Sequence, residues 1–344
     1  MADDPYARVP LGRTGLHVTR LGFGCAPIGG LYAPVPDDEA VAAVRHAWEM
    51  GIRHVDVAPL YGYGLAERRA GIALRDVPRS ELVLSTKAGR RIVPRDAVPA
   101  GMEIDRQAHG GEEDWFYRGT GPVRPAWDTS ADGIRRSLEE SLERLGMDHV
   151  EILYLHDPEA RLESAVRDAW PALERLRAEG TVKAIGFGVD YTAPLAWLLR
   201  RTDPDVVLLA GRYTLLDQSA LDEVLPLCTA QGVAVVIGGV MNSGLLADPR
   251  PGATYDYAPA SPELVARAAA MRAICARHGV PLTAAAVRFV LAHPAVATIV
   301  AGVRRIAHLE SYPALYRTPI PAALWEELRA EGFLDPRAPV PPPG

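Results

Sequence analysis

Short apolar runs alternate with amphipathic segments from one end of the chain to the other. The runs fall at Leu21–Ala26, His54–Ala58, Leu82–Lys87, Val150–His156, Val182–Gly188, Val206–Ala210, Val233–Gly238 and Val296–Ala301. They are rich in Val, Ile and Leu and nearly continuous, which predicts strands buried on both faces in a parallel sheet. The segments between them repeat at helical spacing and carry end signals. Ser130 precedes Ile134, Leu138, Leu142 and Leu145, with Gly146 after the last turn, which is a capped helix written in sequence. Eight strands, each followed by a helix, is the number that closes a barrel, so the expected fold class is α/β, a single (β/α)₈ TIM barrel.

Four features exceed a plain barrel. Val9–Val18 reads as a hairpin around Arg13-Thr-Gly15, placed to plug the barrel floor. Residues 88–129 form a long Gly/Pro-rich loop after the third strand, carrying Trp115, Phe116, Tyr117 and Trp127. An extra helix runs from Pro262 to His278, and the chain ends in a Pro-rich tail over 335–344, expected to be extended and poorly ordered. Pro171 and Pro226 are expected to kink or divide their helices. Residues 1–334 are thus expected to form one domain.

Composition narrows the function. A chain of 344 residues with net charge -6 has no basic footprint for nucleic acid. No apolar run approaches the roughly 20 residues of a membrane span, and Met1-Ala-Asp-Asp-Pro does not open like a secretory signal. Cys25, Cys228 and Cys275 are widely spaced within apolar segments, which predicts reduced core thiols and a cytoplasmic location. Oligomeric state leaves no signature in the sequence.

Of 37 Lys and Arg residues only Lys87 and Lys183 are lysines. Lysine is a compact point charge that can reach and tune a buried partner, whereas arginine is a planar fork. Lys183, at a strand start, needs no role beyond a surface charge. Lys87 ends the third strand, where barrel side chains enter the mouth. Asp56 ends the second strand, His156 the fourth, and Tyr61 follows in Pro59-Leu-Tyr-Gly-Tyr-Gly64. A phenol has a reference pKa of about 10, and a neighbouring ammonium is expected to favour its phenolate. Asp56 would hold that ammonium, and His156 would donate to a substrate oxygen, giving a proton-transfer site without nucleophile or metal.

The run Gly51-Ile-Arg-His-Val-Asp-Val-Ala-Pro-Leu-Tyr-Gly-Tyr-Gly-Leu-Ala-Glu67, with Leu84-Ser-Thr-Lys87 and Tyr154-Leu-His156, resembles the aldo-keto reductase superfamily over roughly residues 8–334. Ala210–Ala220 and Val236–Leu246 are similar to its D-threo-aldose 1-dehydrogenase branch, which includes L-fucose, L-galactose and pyridoxal 4-dehydrogenases. The resemblance implies a tetrad of Asp56, Tyr61, Lys87 and His156 and a nicotinamide cofactor in the barrel mouth. It further implies that Tyr213 stacks on the nicotinamide, that Gly239, Val240, Met241, Ser243, Gly244 and Leu245 wrap the pyrophosphate, and that Gly302, Arg304 and Arg305 receive the adenosine end. The two arginines tilt the expectation toward NADP over NAD. Where the family places Ser-Asn and Gln, this chain has Gly188-Val-Asp190 and Ala210, so Asp190 enters as a substitute carboxamide contact. The Gly62-Tyr-Gly64 pair lacks the third glycine of a dinucleotide fingerprint.

The expected reaction is oxidation of C1 of an aldose of L-fucose, L-galactose or D-arabinose type to a lactone. Substrate choice would lie with Trp115, Phe116, Tyr117 and Trp127. The same tetrad in reverse would reduce aldehydes or ketones, and pyridoxal is an alternative substrate. Two readings lie outside this class. A metal-dependent hydrolase would use His54 and Asp56 with His156 and Asp157, but leaves Lys87 and Tyr61 unexplained. A noncatalytic, cofactor-sensing subunit would not need an intact tetrad.

Overall fold

A computed structural model of the chain describes residues 3–105 and 117–342. Trp115 and Phe116 lie outside the described residues. Eight parallel strands close into a barrel in chain order: β1 Leu21–Gly24, β2 His54–Asp56, β3 Val83–Ala88, β4 Ile152–His156, β5 Ala184–Val189, β6 Val206–Ala210, β7 Ala234–Gly238 and β8 Val296–Gly302. The circuit closes where Ile299 of β8 pairs with Leu21 of β1. The fold is the (β/α)₈ barrel expected from the apolar runs.

Helices α1 Asp37–Glu49, α2 Leu65–Leu74, α3 Ala131–Leu145, α4 Trp170–Ala178, α5 Thr192–Leu199 and α6 Val224–Gln231 follow the first six strands. After β7 come α7 Pro262–Arg277 and α8 Leu282–Leu291, and after β8 come α9 Ile306–Arg317 and α10 Ala322–Ala330. Among the described residues, no single helix is long and apolar enough to cross a membrane. α3 shows how closely the local code is followed. The Ser130 hydroxyl accepts the Gly133 N–H at 3.0 Å, and Gly146 ends the helix in left-handed geometry at φ 64°.

Apolar packing falls into two layers. Outward-facing strand residues such as Leu84, Leu153, Phe187 and Val235 meet the helices, while Val83, Ile152, Val206 and Val236 fill the barrel interior. The hairpin of Arg8–Pro10 and His17–Thr19 closes the floor, since Leu11, Leu16 and Val18 pack into that interior layer.

Three expectations are corrected. The stretch after β3 is not a plain loop. Arg90–Pro94, Glu103–Ile104 and Val123–Trp127 form a small antiparallel sheet beside the mouth. Pro226 sits in the first turn of α6, where its missing N–H would have had no intrahelical acceptor, so nothing kinks. Pro171 does divide its helix, as expected: the helical path from Leu162 widens over Ala165–Ala169 before α4 resumes at Trp170. The tail is laid against the barrel through Pro342 rather than projecting from it: Ala338 is buried, and Arg329 Nη2 donates to its carbonyl at 2.9 Å.

His54 is fully buried inside β2 and neither ring nitrogen has a partner. Burial first, opposed by Asp56 and helped by Lys87, draws its pKa down to about 4. The folded state therefore refuses a proton that the unfolded chain accepts below about pH 6.5. The stability tied to His54 is complete above that pH and lost as pH falls toward 4. Denaturant titrations should show a loss of about 2 kcal/mol from this group between pH 7.5 and 5, which His54→Asn removes.

Candidate active site

Asp56, Lys87 and His156 enter the mouth from the carboxyl ends of β2, β3 and β4. Lys87 Nζ donates to Asp56 Oδ2 at 2.7 Å and to the Val57 carbonyl at 2.9 Å. Ser85 Oγ donates to the other carboxylate oxygen, Asp56 Oδ1, at 2.7 Å. The Lys87–Asp56 pair is almost completely excluded from solvent. Lys87 Nζ lies 4.6 Å from the Tyr61 ring centroid, and the His156 ring meets Tyr61 edge-on at 5.9 Å. The four groups are thus brought together. A Cβ on Gly188 would sit 3.3 Å from Lys87 Cε, so the glycine leaves the lysine stem uncrowded.

Tyr61 is set by backbone contact. A Cβ on Gly62 would fall 2.2 Å from the Gly29 carbonyl oxygen, and one on Gly29 would fall 2.7 Å from the Tyr61 carbonyl carbon. Two loops press together here at a distance only glycine permits, and Gly62 and Gly64 also take φ of 63° and 90°. The Gly-Tyr-Gly sequence is therefore a loop clamp that aims Tyr61, not a phosphate cradle.

The electrostatics correct one expectation. The Tyr61 phenol is pushed well above its ordinary value, first by burial, then by the Asp56 carboxylate and by Tyr117, Tyr257 and Asp157. Lys87 is already neutralised by Asp56, so its ammonium does not make a resting phenolate. His156 is held well below its ordinary value by burial, by Arg90 and by Lys87, so it is a neutral imidazole. Its Nδ1 is buried without a partner, whereas Nε2 lies 3.5 Å from Asp157 Oδ2. The proton accordingly belongs on Nε2, ready to be donated.

The residues matched to the cofactor separate into two groups. Ser243, Gly244, Gly302, Arg304 and Arg305 are exposed, and Gly239 opens the loop at φ 64°. Met241 is half-buried, while Val240 and Leu245 are buried and can offer only backbone. Asn242, Ser243 and Gly244 all have positive φ, an unusual run in a tight turn whose Asn242, Gly244 and Leu245 N–H groups donate to the Gly239, Met241 and Asn242 carbonyls. Asn242 was not singled out from sequence, yet it is buried, donates through Nδ2 to the Gly211 carbonyl at 3.2 Å, and leaves Oδ1 unpaired. Tyr213 corrects an expectation: it is wholly buried beside Phe289 and His293, at ring distances of 5.2 and 5.5 Å, so it presents no face for stacking.

Asp190 is half-buried among like charges. Burial, then Asp157 and Glu159, push its carboxyl well above the usual range, with Arg212 opposing. A protonated carboxyl offers both a donor and an acceptor, as a carboxamide partner requires. Arg212 Nε donates to the Asp190 carbonyl at 2.7 Å and pairs with Asp256, tying the loop after β7 to that after β6.

Of the aromatic candidates, Tyr117 packs 6.3 Å from Tyr61 and 6.0 Å from Tyr63, beside the reacting phenol. Trp127 does not reach the mouth. Its ring lies between the guanidinium of Arg90 at 4.0 Å and that of Arg161 at 5.0 Å, and with Arg161, Arg167 and Arg175 it lines a separate cavity of about 590 Å³. Among the described residues, no group of three or more His, Cys, Asp or Glu side chains is arranged to hold a metal ion.

Residues 20–330 match the Aldo/keto reductase family, and the chain belongs to it. It is an NAD(P)-dependent oxidoreductase acting on CH–OH groups. It is 44% identical to D-threo-aldose 1-dehydrogenase of a Pseudomonas species over 94% of this chain and 96% of that protein. Pyridoxal 4-dehydrogenase of Microbacterium luteolum is 41% identical over 94% of this chain and 97% of its own length. The holo form of an aldo-keto reductase from Bacillus halodurans superposes with a TM-score of 0.72 at 25% identity, covering 94% of this chain and 96% of that one.

Proposed function

We propose that the enzyme oxidises C1 of a cyclic aldose to the lactone with NADP, using Tyr61, Lys87, Asp56 and His156. The observation that carries this reading is the single contact group formed by Lys87 with Asp56, Tyr61 and His156 at the mouth. The rim favours a polyol. Glu159, on the loop after β4, adds a carboxyl, and Tyr117 supplies an apolar wall with a hydroxyl beside the reacting phenol. The identity to the Pseudomonas aldose dehydrogenase points the same way.

A nicotinamide dinucleotide, held by the Gly239–Leu245 backbone, Gly302, Arg304 and Arg305, supplies the hydride acceptor. The fit rests on the exposure of Gly239, Ser243, Gly244 and Gly302 and on the exposed arginines leading into α9. No acidic residue lies in the first turn of α9 to repel a phosphate. Arg304→Ser with Arg305→Ser should raise KM for NADP about tenfold or more and leave that for NAD within about twofold, by steady-state kinetics with each cofactor.

His156 Nε2 donates to the C1 oxygen and orients it. Tyr61, once ionised, takes the hydroxyl proton and returns to the phenol; Lys87 stabilises the phenolate before that transfer, and Asp56 with Ser85 fixes Lys87. Because Tyr61 keeps its proton at neutral pH, it must ionise first, and the oxidation rate should climb on the alkaline side.

The raised Tyr61 pKa supports a second reading, aldehyde or ketone reduction, in which the protonated phenol acts as acid. L-fucose, L-galactose, D-arabinose and pyridoxal, each with NAD and NADP, separate these when reduced-nicotinamide absorbance is followed. Lactone formation from a sugar supports the aldose reading. Turnover confined to carbonyl reduction replaces it with the second, and turnover of pyridoxal alone rejects the sugar.

A further inference from the structure

The buried guanidinium of Arg90 has no part in the proton transfer just described, yet its contacts converge on His156. Arg90 follows Lys87 by three residues, the chain turning between them at Gly89 with φ 104°. Its Nη1 donates to the His156 carbonyl at 3.2 Å and to Asp157 Oδ2 at 2.9 Å. Its Nε donates to Asp105 Oδ2, and its plane lies over the Trp127 ring at 4.0 Å. Its own carbonyl accepts the Ser137 hydroxyl of α3 at 3.2 Å. Asp157 is a non-glycine residue in left-handed geometry, φ 42°, a conformation that persists only where the surroundings hold it. Its N–H donates to the Gly188 carbonyl at 2.8 Å.

We infer that Arg90 is the positioning residue for His156: by fixing the Asp157 turn and the His156 carbonyl together, it sets the imidazole so that Nε2 carries the proton offered to substrate. This rests on the catalytic reading of His156. Arginine is required because one planar fork must reach a carboxylate at Nε, and a second carboxylate and a carbonyl at Nη1, while stacked on an indole. A lysine ammonium restores the charge but not the fork. Trp127 and Asp105 hold the fork from behind, which gives the small sheet after β3 a function: it carries the brace for the histidine. The charged and titratable groups facing His156 are Lys87 from β3, Tyr61 from the loop after β2, Asp157 from its own loop and Arg90 from the small sheet. Arg90 and Lys87 disfavour the imidazolium, and Asp157 is released to favour it once Arg90 is gone.

The test combines Arg90→Lys, Arg90→Gln and Asp157→Asn with an NMR titration of His156. Arg90→Lys should lower kcat about tenfold or more, with cofactor affinity by fluorescence titration unchanged and the His156 titration close to wild type. Arg90→Gln should lower kcat further and move the His156 titration to higher pH, whereas loosened packing would move it in Arg90→Lys as well, because burial is the largest cause of the low value. Asp157→Asn leaves the Arg90 contacts to Asp105 and Trp127 in place and should lower kcat by a similar factor, non-additively with Arg90→Lys. Should the Arg90 variants not fold, Asp157→Asn alone decides. Folded variants with kcat within about twofold of wild type, or an unmoved His156 titration in Arg90→Gln, overturn the inference. His156→Gln separates the two levels: an inert His156→Gln beside fully active Arg90 variants rejects the brace alone, whereas a fully active His156→Gln rejects the catalytic reading beneath it.

Discussion

Tyr61→Phe should lower kcat by about 10³-fold or more while leaving cofactor binding and stability close to wild type. A positioned acid or base contributes about 10² to 10⁴ in rate, and the burial of the Tyr61 phenol leaves water a poor replacement. The substitution removes one hydroxyl and nothing else that sets the site. The Gly29–Gly62 contact that aims the residue is made by backbone, and the His156 and Tyr117 contacts are made by the ring face and edge. The substituted ring therefore keeps the wall and loses the proton carrier. Single-turnover kinetics in both directions give the chemical step, and quenching of protein fluorescence gives cofactor affinity. A variant within about tenfold of wild type would remove Tyr61 from the mechanism. A variant that no longer binds cofactor would instead mean that the hydroxyl serves binding.

The barrel was legible because its signal is local and repeated. Each apolar run from Leu21 to Ala301 falls on a barrel strand within two residues at either end, and the Ser130 and Gly146 caps bound α3. The meeting of Asp56, Lys87 and His156 followed from the same reading, since strand ends in a closed barrel share one mouth. Arg90 was not legible. Its partners Asp105, Trp127, His156 and Asp157 come from distant segments, and its arginine hides among so many others. Trp127 and Tyr213 were misread for a related reason. An aromatic residue near a site is visible in sequence, but the side its ring faces is settled by packing: Arg90 and Arg161 enclose Trp127, and Phe289 and His293 enclose Tyr213. The Tyr61 pKa required burial as well as neighbours. Sequence revealed the ammonium and its Asp56 partner, but not that burial would outweigh the charge at Tyr61.

Lys87→Met should be damaging in two distinguishable ways. The first is to stability, because Asp56 is 2% exposed and would lose the ammonium that neutralises it, keeping Ser85 as its side-chain donor. Removing one member of a buried ion pair typically costs about 3–5 kcal/mol, chiefly because the remaining charge is left uncompensated. The second is to catalysis, since the cation that stabilises the phenolate of Tyr61 during proton transfer is gone. The double variant Lys87→Met with Asp56→Asn separates these losses. Its buried site is neutral, so denaturant unfolding should recover most of the stability lost in the single variant. Activity should not recover. Lys87→Arg offers the complementary comparison: the charge survives, but the wide guanidinium must occupy a pocket shaped around a narrow stem between Gly188 and Tyr61. It should retain most of the stability and little of the rate. If the double variant regained activity along with stability, the lysine would be a structural partner of Asp56 and nothing more. If Lys87→Arg were fully active, positive charge without the compact ammonium would suffice, and the geometry of the Lys87–Tyr61 contact would lose its place in the mechanism.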